Sequence, residues 1–300
     1  MTFSVVIPTK NRPTELLSSF NAILNQTRLP DQIIIVDQSL PKNVLEKKIK
    51  SEAKKFNLIV NYIHDQAIDG LVEAKAFAVS LNRCDYVSFF DDDIILEKEY
   101  FKMIEETLKC FPEIIGANGV ITNYPQANFF KKLIFQLTHF GIYKDQRFKI
   151  QTPLLSKRKT PLKINVLSGG LSTWKKEVFE NLNFDIKNKF HSYEDVEFSI
   201  RVEKTFPGRM FVIPQAKLSH HHASLNRQST LLRTKNDVIE IWMLFKKNRN
   251  FNLLGLDFFV LTLGLLLKSI ILSLRYRSIH FVRNFFRGFI EGFKKQVSFQ

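Results

Sequence analysis

An α/β fold on a doubly wound, mostly parallel sheet follows from three observations. Short apolar, β-branched runs alternate with helix-spaced runs through residue 121, polar and charged residues gather where the runs end, and 45% apolar content over 300 residues supports a sizeable core. In such sheets ligands bind outside the carboxyl ends of the strands, so those ends are where chemistry is sought.

The elements follow in order. Phe3 to Pro8 reads as a strand closed by Thr9-Lys10-Asn11-Arg12-Pro13, and Leu16, Leu17, Phe20, Ile23 and Leu24 place a helix over 14–24. Gln32 to Asp37 is a second strand, Asn43 to Lys55 a charged helix and Leu58 to His64 a third strand. After the Gly70 turn, Leu71 to Leu81 reads as a helix. The next strand starts at Tyr86 and runs into Asp91-Asp92-Asp93. Strand alternation puts Asp91 and Asp93 on one face and Asp92 on the other. Two carboxylates at a strand's end can hold Mg²⁺ or Mn²⁺, which favour a few protein oxygens plus substrate phosphates; an isolated acidic triplet is otherwise a solvated turn.

Tyr100 to Cys110 reads as a helix and Ile114 to Ile121 as a strand. The aromatic and basic stretch from Tyr124 to Pro161, opening on Phe129 to Phe135, fits a satellite cluster or an acceptor or membrane contact equally. In Val166 to Leu171 the pair Gly169-Gly170 leaves room for a ligand near the backbone, as an ordinary bulge would also do. His191 to Phe198 opens a helix, where Ser192 with Asp195 nearly forms a capping box. Met210 to Ile213 is a strand. Lys217 to Ala223 gathers three histidines in a loop, one of which could complete a metal shell begun by the aspartates.

Lys and Arg number 44 against 29 Asp and Glu, which implies an anionic partner. From Asn226 onward thirteen basic residues face four acidic ones beside long apolar runs, a placement that favours an anionic lipid surface over nucleic acid. Cys84 and Cys110 lack metal-ligand spacing and fit a reducing compartment. The N-terminus has no basic n-region, so no signal peptide is expected.

Taken together, these motifs resemble the family 2 glycosyltransferases of the GT-A fold, among them rhamnosyltransferases and related cell-envelope glycan transferases. Val5 to Arg12 looks like that family's first strand and nucleotide loop, Ile33 to Ser39 its second strand, and Gly70-Leu71 with Ala74-Lys75 its Gly-Leu-x-x-Ala-Arg segment. Asp91 to Asp93 resembles its DxD motif, Ser168-Gly169-Gly170 its acceptor-side loop and Glu194-Asp195 its catalytic pair. The resemblance implies that Pro8, Thr9, Arg12, Asp37, Gln38, Lys75 and Asp92 bind the nucleotide-sugar donor, and that Asp91, Asp93 and His220 hold Mg²⁺ or Mn²⁺. By the same resemblance Gly169 and Gly170 face the acceptor, and Asp195, beside Glu194, is the base of an inverting transfer. Gln38 stands where the family often carries a second acid, leaving UDP or dTDP open.

The resemblance covers about 1–225. Within 226–300, Leu253 to Leu274 is apolar but interrupted by Asp257 and Lys268, and basic residues flank both ends, which favours a helix lying on or dipping into a membrane. Val282, Phe285, Phe286, Phe289, Ile290 and Phe293 form a stripe among Arg283, Arg287 and Lys294; an interfacial anchor fits, and so does a helix packed on the domain. The expectation is a transferase domain over 1–225 and a membrane-associating segment over 226–300, on the cytoplasmic face as a peripheral or monotopic protein. It would act on a glycan or lipid-linked acceptor. A nucleotidyltransferase, or a catalytically silent glycan- or lipid-binding scaffold, are the alternatives; no Gly-rich phosphate loop follows the first strand.

Overall fold

The computed structural model describes residues 1–40, 45–123, 133, 155, 158–223, 225, 229–248 and 255–298, without side chains at 255–257. Most of the 124–161 insertion, and the Asp257 side chain, lie outside the described residues.

The first half follows the alternation read from sequence: β1 (Phe3–Thr9), α1 (Pro13–Leu24), β2 (Gln32–Asp37), α2 (Glu46–Lys54), β3 (Ile59–His64), α3 (Gly70–Ser80) and β4 (Tyr86–Phe90). β5 (Ile94–Leu96), α4 (Tyr100–Cys110), β6 (Gly116–Ile121), β7 (Leu162–Lys163), β8 (Leu171–Lys175), α5 (Glu177–Asn181), α6 (Glu194–Thr205) and β9 (Met210–His220) complete the sheet region. Among the described residues three helices follow, α7 (Thr230–Lys247), α8 (Gly255–Arg275) and α9 (His280–Lys294).

One mixed sheet carries the order β3-β2-β1-β4-β8-β6-β9-β5. Pairing is parallel from β3 through β4, whereas β8 runs antiparallel to both β4 and β6. Every residue of β1 and β2 is buried, because helices cover both faces of the sheet. Alternate residues therefore feed two cores. Val5, Ile7, Ile33 and Ile35 meet Leu16, Phe20, Phe101 and Ile104 on one face, while Val6, Ile34, Val87 and Phe89 meet Ala74, Ala78, Trp174 and Phe198 on the other.

A third core joins the C-terminal helices to the sheet domain, with Val238, Ile241 and Leu244 of α7 packed against Val166, Phe190, Tyr193 and Val196. Lys247 reinforces it, reaching Glu197 at 2.6 Å and also pairing with Asp185. The apolar stripe on α9 divides: Phe281 and Phe285 are buried while Phe286, Ile290 and Phe293 are exposed. Gly288 and Gly292 let α9 lie close on α7, since a Cβ at either would collide with the Lys235 backbone or the Trp242 ring.

Three local expectations are corrected. β4 ends at Phe90, and Asp91 to Asp93 form a turn in which the Ile94 N–H donates to the Asp91 carbonyl at 3.3 Å, so turn geometry rather than strand alternation sorts their side chains. His220 lies in no loop: it ends β9, paired with Ile94. Ser192 and Asp195 form no capping box, and no side chain caps α6 at its N-cap, Tyr193.

Candidate active site

The strand ends converge on a cavity of about 990 Å³ bordered by Pro8, Thr9, Arg12, Gln38, Asp91, Asp92 and His220. On one side of the turn, Asp93 Oδ1 lies 2.9 Å from His220 Nε2, and Asp91 Oδ2 lies 3.9 Å from the same nitrogen. One ligand atom from each of Asp91, Asp93 and His220 falls within 4.8 Å of the others. Two hard carboxylate oxygens and an imidazole nitrogen are a donor set suited to Mn²⁺, and Asp91 is a third exposed, so the group opens toward the cavity. The residues thus fit a divalent cation. Gly170 makes room for Asp91: a Cβ there would overlap its carboxylate, and the Gly170 carbonyl accepts the Asp91 N–H at 3.0 Å.

Burial by itself would raise the Asp93 carboxyl, but the His220 hydrogen bond and charge, the Ala223 N–H at 2.7 Å and the Arg12 guanidinium outweigh it and bring it down to about 2. Asp93 is therefore ionised across the physiological range. Asp92 points the other way, accepting from Thr9 Oγ1 at 2.7 Å and pairing with Arg12 Nη1 at 2.9 Å. Burial raises it to about 6 despite those partners. Arg12 also donates to the Leu225 carbonyl, so this brace ties the first loop to the chain beyond β9.

Asp37 and Lys75, both expected on the nucleotide, do not border the cavity. Asp37 is fully buried and accepts from Tyr62 Oη at 2.7 Å and the Ser39 N–H at 2.9 Å, shaping the end of β2. Lys75 is 1% exposed and donates to Glu194 Oε1 at 2.7 Å and the Gly169 carbonyl at 3.0 Å. Gln38 does border the cavity, with its amide N–H bonds going to the Ile68 and Gly70 carbonyls. Burial raises the Glu194 carboxyl, Lys75 opposes this, and the nearby charges of Asp195 and Asp91 raise it further. Those couplings place Glu194, Asp195 and Asp91 in one neighbourhood. Asp195, partly buried, accepts from the Gly169 N–H at 3.2 Å and the Val196 N–H at 2.7 Å.

The far wall of the cavity comes from residues outside the expected site: Ser229, Thr230, Arg233, Thr234 and Asp237 of α7 and its cap, with Lys268 and Leu272 of α8. Lys268 Nζ lies 3.1 Å from Asp237 Oδ2. The signal for it was visible in sequence, since a lysine inside an apolar helix turns toward a polar interior.

Comparison with known proteins decides the family. Residues 4–182 match the profile of "Glycosyl transferase family 2". The chain belongs to that family. Its fold is similar to that of a mannosyltransferase from Pyrobaculum calidifontis solved with GDP-Man and Mn²⁺, at TM-score 0.61 and 12% identity, covering 98% of this chain and 88% of that one. It is also similar to GalNAc-T7 solved with UDP, GalNAc and Mn²⁺, at TM-score 0.60 and 17% identity, covering 85% of this chain. The match spans 51% of the GalNAc-T7 chain. Residues 1–349 of S. aureus TarS match at TM-score 0.51 and 12% identity, over 99% of this chain and 92% of that one. No curated protein sequence matches. The family match ends before Glu194, Asp195 and His220, so the reading of these three residues rests on geometry.

Proposed function

We propose that this family 2 glycosyl transferase performs a metal-assisted inverting transfer from a UDP- or dTDP-sugar to a hydroxyl of a cell-envelope glycan or lipid-linked acceptor. The observation that carries the reading is the convergence of Asp91, Asp93 and His220 at the mouth of a cavity also bordered by the first-strand loop. Bound there, Mg²⁺ or Mn²⁺ would supply charge that matches a departing nucleoside diphosphate. The chain's own residues do the rest. The Arg12–Asp92–Thr9 brace holds the nucleotide loop, and Gly169 and Gly170 let the backbone approach the acceptor. Asp195, oriented by the Gly169 and Val196 N–H groups, takes the acceptor proton.

The acceptor enters past α7 and α8, whose wall offers hydroxyls and two cations around one carboxylate. The outer surfaces of these last helices support a membrane-associated acceptor. Phe258–Arg275 is long and apolar enough to cross a membrane, with 22% of it buried in the protein, and Phe286, Ile290 and Phe293 stand exposed beside Arg287 and Lys294. We place the protein on the cytoplasmic membrane face, peripheral or monotopic. Both flanks of α8 are basic, and Lys268 is turned toward the cavity.

The test is a panel of UDP-, dTDP- and GDP-sugars scored for thermal stabilisation with Mn²⁺, followed by assay of the binder. One nucleotide class should raise the melting temperature, with slow metal-dependent release of nucleoside diphosphate and loss of the shift in Asp93→Ala. Pyrophosphate release would favour a nucleotidyltransferase; binding without turnover would favour the scaffold.

A further inference from the structure

The chain just before Glu194-Asp195 presents an unusual problem. Consecutive backbone N–H groups at the start of a buried helix need acceptors, and the ordinary local solution would be the Ser192 and Asp195 side chains. Asp195 accepts the Val196 N–H in the first turn at 2.7 Å, and the N-cap residue Tyr193 has no side-chain cap. For the residues just before the helix, Glu240 arrives from α7, forty-seven and forty-eight residues further on, and accepts the Tyr193 N–H at 3.0 Å and the Ser192 N–H at 2.8 Å through Oε2. The His191 N–H also donates to it. Glu240 is 5% exposed, on the helix that contributes Val238 and Ile241 to the third core.

Asp195 divides its oxygens: Oδ1 accepts the Val196 N–H of its own helix, and Oδ2 reaches the Gly169 N–H beside the metal ligands. His191 and Ser192, held by the same carboxylate, border the cavity. From this geometry we infer that Glu240 is a positioning residue for the transfer. It anchors the backbone of Ser192 and Tyr193, immediately before Glu194-Asp195, and so fixes the orientation of the base and of the adjoining cavity wall. The helical segment is then part of the active site, not only a packing or membrane element. The inference rests on the reading of Asp195 as the base, and the experiment separates the two.

Glu240→Ala, Glu240→Gln, Asp195→Asn and the Asp195→Asn/Glu240→Ala double variant are prepared in the full chain. The donor identified by the nucleotide-sugar panel is assayed for hydrolysis, which needs the base but no acceptor. Glu240→Ala should lower kcat by about 10- to 100-fold, the range for residues that orient a reacting group through another, with KM and Mn²⁺-dependent nucleotide binding within about twofold. Glu240→Gln keeps one accepting oxygen and should recover part of the loss. The double variant should be no slower than Asp195→Asn alone, because a residue acting only through the base has nothing left to orient. Amide hydrogen exchange at Ser192 and Tyr193 should accelerate in Glu240→Gln whether or not Glu240→Ala folds.

Additive losses in the double variant, equal losses in kcat and nucleotide binding, or unchanged exchange at those amides would overturn the positioning role. Should Asp195→Asn itself retain full turnover, the assignment of the base fails instead, while the exchange result still reports on the Glu240 contact.

Discussion

The two halves of the site are built differently. On the proposed donor side, Thr9, Arg12, Asp91, Asp92 and Asp93 lie at or just past the ends of the adjacent parallel strands β1 and β4, and the Thr9–Asp92 and Arg12–Asp92 contacts follow from that adjacency. On the base side, Asp195 is held by Gly169, twenty-six residues earlier, and its loop by Glu240 on a helix beyond the sheet. The first half is a strand-end site of the common α/β kind. The second depends on long-range contacts made one hydrogen bond at a time, so damage there should spare the fold and strike turnover.

The largest expected effect breaks that second half directly. Asp195→Asn keeps the Gly169 and Val196 contacts sterically but removes the proposed proton acceptor, and should cut turnover by about 10²- to 10⁴-fold while Mn²⁺-dependent nucleotide binding persists. Steady-state kinetics beside a nucleotide titration checks both. Next, Lys75→Met strands the Glu194 carboxylate inside the protein and should cost about 3 to 5 kcal/mol of stability, read from denaturant midpoints. Adding Glu194→Gln should recover part of that loss.

A third test uses pH. Burial, the dominant cause, with Asp237 adding to it, raises the Glu240 carboxyl from its ordinary 4.5 to about 7, although the backbone N–H groups of Ser192, Tyr193 and His191 pull the other way. Between those values the folded protein holds a proton that the unfolded chain has released. The Glu240 contribution is therefore full below about pH 4.5 and is lost as pH rises through 7, by about 3 kcal/mol. Glu240→Gln, which cannot ionise, should gain stability relative to the parent between pH 5 and pH 8 in urea denaturation; parallel pH curves would contradict this. The smallest effect sharpens the donor half. Gly170→Ala would push Asp91 aside at an overpacking cost of about 1 to 3 kcal/mol, weakening Mn²⁺ affinity by calorimetry more than it lowers the melting temperature.

The same contrast explains what could be read from sequence. β1 to β4 and their helices were legible because all-apolar strands and helix-spaced runs each bury a defined face. Asp91 and Asp93 were legible as a pair, though for a reason the turn replaces. β8 was not, because Leu171-Ser-Thr-Trp-Lys175 lacks a distinctive pattern and is fixed by pairing with β4 and β6. Lys75 and Asp37 carry family-like positions, yet their burial against Glu194 and Tyr62 depends on packing that no local window contains. Glu240 was invisible for the same reason: a lone acid on a long helix gives no hint that it faces the backbone of another.

The central claim is that a divalent cation is gripped by the turn after β4 and the end of β9. An anomalous-scattering map from crystals grown with Mn²⁺ and a nucleoside diphosphate tests it most directly. The account predicts one manganese peak within about 2.3 Å of Asp91, Asp93 and His220, with the diphosphate on its open side. A peak elsewhere, or a diphosphate bound with no metal between it and these three residues, would contradict it.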